Sequence, residues 1–173
     1  VNEDAESREF YCDVIMDEAS KMNQMVKNLL TLNKLEFGDE DIVFDRFNLT
    51  ALVRGVLQSM EIMADQAGAE ILLHTEEDIY AWADEFKVEQ VVKNYVSNAC
   101  HHVSGDMVIE VKMVQKDGKV RVSVFNTGTP IPEADIARIW DKFYKVDKAH
   151  TREYGGNGIC ISIVKEIMKS FHQ

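Results

Sequence analysis

Residues 84–126 read DEFKVEQVVKNYVSNACHHVSGDMVIEVKMVQKDGKVRVSVFN, and two periodicities meet inside them. In the first part Val88, Val91, Val92, Tyr95, Val96 and Ala99 recur at steps of three or four, the spacing of one helix face. Asp84 stands just ahead with a short acceptor side chain, the chemistry of an N-cap, so a helix is predicted over 85–102. Past His102 the rhythm changes to alternation. Residues 107–114 and 120–126 place apolar side chains at every second position around Lys116-Asp117-Gly118-Lys119, a turn signal, and predict a β-hairpin.

Working outward, residues 42–47 suit a short strand, and Asn48 caps a helix through 65 that carries Leu52, Val53, Val56, Leu57 and Met60 on one face. Residues 70–75 and 80–83 suit strands, and 158–170 a last helix. The order is α, β-α, β-β, α, β-β, α. Hairpins in that order call for a mixed or antiparallel sheet with helices on one face. The fold class is therefore α+β, a two-layer sandwich, and not a doubly wound sheet.

Residues 6–35 read as one long helix, with Tyr11, Ile15, Ala19, Met22, Met25, Val26, Leu29 and Leu32 recurring mostly at steps of three or four. Ile15, Met22 and Leu29 are seven apart, as are Met25 and Leu32, a seam suited to a helical bundle. A stripe this wide needs a partner, from another chain or from sequence outside this one. Glu36, Phe37 and Gly38 end the helix, and Asp39-Glu40-Asp41 follows as a linker.

At 173 residues the chain can hold one domain with a proper core and one attached element. Its net charge of -11 argues against binding duplex nucleic acid, whose phosphates an acidic surface repels. No run approaches the roughly 18 apolar residues of a membrane span. Cys12, Cys100 and Cys160 are scattered and form no C-x-x-C pair, which suits a reducing compartment.

Three stretches can carry chemistry. On the helix over 85–102, Gln90, Asn94, Asn98 and His101 or His102 fall on one polar face. Two asparagines one turn apart can point into a cleft, where an amide oxygen can complete a Mg²⁺ shell, or can simply sit on a wet face. Asn126-Thr127-Gly128 ends a strand before Pro130-Ile131-Pro132. Asn126 can hydrogen-bond an exocyclic amine there and Gly128 can let backbone approach a flat ring, or the segment is a surface turn. Tyr154-Gly155-Gly156-Asn157-Gly158 opens the last helix, and glycine-rich backbone at a helix start offers N–H groups to phosphate. Ahead of it Lys145, Lys148, His150 and Arg152 form a basic loop that can fold over polyphosphate as a lid.

In order and spacing these elements resemble the histidine kinase branch of the gyrase, heat-shock chaperone and kinase ATPase superfamily, whose ATP-binding domains have the Bergerat-type fold. Asn94-Tyr-Val-Ser-Asn98-Ala99 is similar to the N box, and Asn126-Thr-Gly128 with Pro-Ile-Pro to the first glycine box. Ile139-Trp-Asp-Lys-Phe143-Tyr-Lys-Val-Asp resembles the F box, and Gly155-Gly-Asn-Gly158 the second glycine box. Leu29-Leu-x-Leu-x-Lys-Leu-Glu36 resembles the end of the second helix of a dimerisation domain. The likeness is nearest to vancomycin-sensor-like kinases of Gram-positive bacteria.

The resemblance implies residues 1–38 as part of a dimerisation and phosphotransfer domain and 39–173 as an ATP-binding catalytic domain. It implies ATP and Mg²⁺ as cofactors, with Asn98 on the metal and Asn94 supporting it. Asn126 would grip the adenine amine where most relatives use Asp, and Gly128 would make room for the ring, with Ile131 beside it. Phe143 would anchor the base of the lid, while Lys145, Arg152 and His101 would face the nucleotide. Gly156 and Gly158 would donate backbone N–H groups. Asn94 and Lys145 would be the residues closest to the transfer chemistry. Hydrolysing branches carry a glutamate where Asn94 stands, and an amide is no base at neutral pH, which favours phosphoryl transfer over hydrolysis.

The implied activity is transfer of the γ-phosphoryl of Mg-ATP to a histidine for relay to a response-regulator Asp. A homodimer through the dimerisation helices, no nucleic-acid partner, and a place in the cytoplasmic portion of a membrane-bound sensor kinase are implied too. The phosphoacceptor histidine is expected on a helix before Glu6, and a closing pair of strands after Gln173. Four departures accompany the likeness: Asn126 for Asp, His101 for Lys, His150 for Arg and Cys160 for Gly. Each lost charged hydrogen bond weakens nucleotide binding by about 1 kcal/mol. They keep a second reading open, a degenerate pseudokinase that serves as a partner-binding module.

Overall fold

The computed structural model describes residues 3–37, 41–146 and 158–171, with side chains from residue 7 onward. The chain runs α1 (Glu3–Phe37), β1 (Asp45–Asn48), α2 (Leu49–Ser59), α3 (Glu61–Ala67), β2 (Glu70–His74), β3 (Tyr80–Ala83), α4 (Glu85–His102), β4 (Val108–Lys116), β5 (Lys119–Asn126), α5 (Glu133–Ile136) and α6 (Cys160–Ser170). Strand β4 is central, parallel to β2 and antiparallel to β5, while β1 and β3 form a separate antiparallel pair. Val53, Val56, Leu57 and Ala64 from α2 and α3 meet Val92, Val96 and Ala99 of α4 over Ile109, Val111 and Met113 of β4. Helices thus cover one face of a mixed sheet, the two-layer α+β arrangement expected from the alternation.

Local chemistry explains the element ends. The Asn48 side chain accepts from the Ala51 N–H at 2.9 Å and starts α2. The Asp84 carboxylate accepts from the Lys87 N–H at 3.0 Å and starts α4. Its other oxygen accepts from the Val43 N–H at 3.1 Å. That tether takes residues 42–44 out of the expected strand, which begins only at Asp45. The hairpin turn sets Asp117 at φ 52° and Gly118 at φ 71°, the two left-handed positions of a tight two-residue connection.

The helix expected over 48–65 is two helices. The Ser59 hydroxyl donates to the Val56 carbonyl at 2.7 Å, competing with the helical ladder, and α3 restarts after Met60. The four-residue α5 was not expected; it is too short to show a period. The last helix begins at Cys160 rather than Gly158, because Gly158 sits at φ 64° outside it.

Along α1 the two heptad rows part company. Leu32, 2% exposed, packs with Ile159, Ile163 and Ile167 of α6 and its approach, with Met25, Leu35, Val91 and Phe171 around them. Glu36 pairs with Lys142 at 2.5 Å across the same junction. The other row stays bare, with Ile15 at 65%, Met22 at 67% and Leu29 at 36% exposure.

Candidate functional site

Helix α4 buries Val92, Val96, Ala99 and Cys100 and leaves Asn94, Asn98 and His101 half-buried on another face. The Asn94 amide nitrogen is fully buried and has no hydrogen-bond partner among the described residues. A buried amide N–H without a partner costs about 1–3 kcal/mol. Tyr95, beside it, has its phenol pushed up by burial.

The end of β5 is sewn to the end of α4. Asn126 donates through its amide nitrogen to the carbonyls of His102 at 3.3 Å and Thr127 at 3.0 Å. Both available protons face inward, so its oxygen is the atom left to accept a donor from outside. Thr127 and Ser104 complete the seam: the Ser104 N–H donates to the Thr127 carbonyl and the Thr127 N–H to the Val108 carbonyl, at 3.0 and 2.9 Å. At Gly128, φ 148°, a Cβ would lie 2.6 Å from the His102 carbonyl oxygen. Glycine is required here by that backbone approach. Asn98 lies four residues before His102, about 6 Å along the helix, so the N-box face and Asn126 share one corner.

A second junction joins Phe143 to Gly158. The Phe143 N–H donates to the Gly158 carbonyl at 2.9 Å, and both residues have positive φ, 63° and 64°. Phe143 itself is exposed, and Lys145 is half-buried two residues on. Ile131 is exposed in the loop between β5 and α5. No described hydrogen bond links this junction to the Asn126 corner directly; the packing of α4 on α6 connects them. Lys148, His150, Arg152, Tyr154, Gly155, Gly156 and Asn157 lie outside the described residues.

Two hollows lie elsewhere around Trp140, one of about 390 Å³ between α1, α6 and the segment after α5, the other of about 440 Å³ between Tyr95 of α4, α6 and that segment. None of the expected site residues that are described lines them. Sequence reasoning also passed over Asp135, Arg138 and Tyr144, where the Tyr144 hydroxyl donates to Asp135 at 2.5 Å and Arg138 stacks 4.3 Å from the ring centre. Nothing in their spacing announces that contact, since it depends on how an irregular segment turns back on α5. Cys160 is half-buried and burial pushes its thiol up, which fits a space-filling role.

Residues 83–173 match the family described as histidine kinase-, DNA gyrase B-, and HSP90-like ATPases. The chain belongs to this family. It is 29% identical to the sensor histidine kinase WalK of Bacillus subtilis over 161 residues, 91% of this chain and 26% of WalK. It thus spans about a quarter of the length of that relative. The nucleotide-free catalytic domain of histidine kinase ThkA superposes with a TM-score of 0.64 at 30% identity, over 74% of this chain and 81% of that one. ThkA solved in complex with the response regulator TrrA gives 0.66 at 31% identity, over 78% of this chain and 40% of that one. These relatives lend no support to the narrower likeness to vancomycin-sensor kinases.

Proposed function

We propose that this chain is the ATP-binding part of a sensor histidine kinase, holding Mg-ATP for transfer of its γ-phosphoryl group to a histidine and onward to a response-regulator Asp. The observation that carries the reading is the buried, unpartnered amide of Asn94 on the helix that ends against Asn126. ATP with Mg²⁺ supplies the transferable phosphoryl group and the cation that offsets its charge. The residues present fit it. Asn98 offers a neutral amide oxygen to a hard cation, Asn94 supports the same site with an amide N–H free to donate to a phosphate oxygen, and Asn126 offers an oxygen whose orientation is fixed by its own two N–H bonds. Lys145 adds a cation beside the Phe143–Gly158 junction. With an amide at position 94, no carboxylate stands there to activate water, so the site holds nucleotide for transfer.

The bare row Ile15, Met22 and Leu29 supports residues 1–38 as part of a dimerisation domain joined to an ATP-binding domain over 39–173, with homodimerisation in the full-length protein. A response regulator as partner is supported by the ThkA–TrrA complex. The place of the chain is the cytoplasmic portion of a membrane-bound kinase; among the described residues no helix is long and apolar enough to cross a membrane. The pseudokinase alternative is the weaker one, because the inner supports of the Asn126 corner are intact.

Calorimetric titration of the chain with a non-hydrolysable ATP analogue, with and without Mg²⁺, tests the proposal. Saturable binding that tightens with Mg²⁺ is expected, and Asn98→Ala should remove the Mg²⁺-dependent part. A folded chain that gives no heat up to millimolar nucleotide would overturn it.

A further inference from the structure

Phe143 holds φ 63°, a left-handed conformation that a bulky residue adopts only when its surroundings impose it. The surroundings are specific. Its N–H is tied to the Gly158 carbonyl at 2.9 Å, and a Cβ on Gly158 would lie 2.8 Å from the Tyr144 carbonyl oxygen and 2.9 Å from the Phe143 carbonyl carbon. The backbone before residue 147 and the backbone after residue 157 therefore meet at one crowded point. Of the side chains there, Tyr144 ties that point to α5. Its hydroxyl donates to Asp135 at 2.5 Å, its ring lies under the Arg138 guanidinium at 4.3 Å, and its N–H donates to the Asp141 carbonyl at 3.3 Å. Asp135 is in turn fixed by its own N–H, which donates to the Pro132 carbonyl at 2.9 Å, and its carbonyl accepts from Arg138 and Ile139.

We propose that Tyr144 is a positioning residue for phosphate binding: clamped by Asp135 and Arg138, it fixes the backbone from which Lys145 projects. This rests on the ATP-binding reading above. Tyr144 touches no nucleotide in this scheme; it acts through Lys145, the next residue. The hydrogen bond to Asp135, more than burial, holds the Tyr144 phenol above its ordinary range, so the donor stays protonated at working pH. The Arg138 contact restrains the ring independently, so removing the hydroxyl loosens the clamp without removing the side chain from its place.

The test compares two ligands on the whole chain. Tyr144→Phe should leave adenosine binding unchanged and weaken the Mg-bound ATP analogue by roughly tenfold, the loss of about one hydrogen bond's worth of positioning. Asp135→Asn, which keeps an acceptor oxygen, should bind like the parent, and Asp135→Ala like Tyr144→Phe. A Tyr144→Phe chain that binds the analogue as tightly as the parent, or that loses both ligands equally, overturns the proposal. If the parent binds neither ligand, the ATP reading falls by itself. Trypsin cleavage after Lys145 then judges the clamp: faster cleavage in Tyr144→Phe supports it, and equal rates overturn it.

Discussion

Asn126→Asp exchanges the amide of this corner for a carboxyl, and the geometry says that the change is costly here. The amide nitrogen donates to the His102 and Thr127 carbonyls at 3.3 and 3.0 Å. A carboxylate loses both donors and sets negative charge against two carbonyl oxygens. The longer bond is near its limit and the site is half-buried, so the two bonds together contribute about 1–2 kcal/mol, and repulsion brings the cost to about 2 kcal/mol. For a chain of 173 residues that lowers Tm by roughly 4–8 °C. The pH dependence has a definite sign. The carbonyls disfavour the charged form in the folded state, so the introduced carboxyl has its folded pKa raised above the unfolded value of about 3.9. A raised folded pKa gives stability that is present below the unfolded pKa and lost as pH rises through the folded one. The deficit should therefore be largest at neutral pH and shrink toward pH 4, where the protonated group can donate one of the two bonds. Thermal unfolding of both chains from pH 4 to pH 8 measures this. Equal stability at pH 8, with no trend on acidification, would refute the reasoning and mean that the Asn126 amide is turned the other way. Its N–H groups would then face the ligand, and guanine nucleotides, with an acceptor at the corresponding ring position, should compete with adenine nucleotides.

Leu32→Ala removes the one residue of α1 buried to 2% exposure in the α6 junction and should cost about 2–4 kcal/mol, read in denaturant unfolding, whereas Ile15→Ala on the bare row should cost under about 0.5 kcal/mol in the monomeric chain. Among the three thiols, Cys12 is exposed while burial pushes Cys100 and Cys160 up. Iodoacetamide at pH 8 should thus label Cys12 first, with Cys100 and Cys160 following only at higher pH or on unfolding, and mass spectrometry of the digested chain reads the order.

What could be read in the residues was whatever depends on near neighbours in the chain. The caps at Asn48 and Asp84, the period of α4 and the Asp117-Gly118 turn each act over a few residues, and all stand where the pattern put them. Some misreadings come from contacts made at a distance, whereas the break after Ser59 is local. Residues 42–44 look like strand, but the N–H of Val43 is taken by a carboxylate 41 positions away. The Met25–Leu32 and Ile15–Leu29 rows are equally apolar, and only the arrival of Ile159, Ile163 and Ile167 selects the first for burial. The same division holds at the site. Box order and spacing pointed to Asn94, Asn126 and Phe143, whereas the inward aim of the Asn126 amide and the Tyr144–Asp135 clamp arise from chain reversals that carry no local signal.

Besides Met107 at φ 56°, three features of this chain run against its own stability. The Asn94 amide is buried without a partner at about 1–3 kcal/mol, Phe143 holds a left-handed backbone at about 1–3 kcal/mol, and an apolar row of α1 lies in water. A sequence shaped only for this fold would have an apolar residue at 94, glycine at 143 and polar residues along that row. Two of these costs sit on elements proposed to meet something outside the chain, Asn94 a nucleotide and the α1 row a second helix, while Phe143 lies at the start of the segment that presents Lys145. At Asn94 and along the α1 row local rules fail where an external partner can repair them, which is what the proposed ATP-binding and dimerisation roles require.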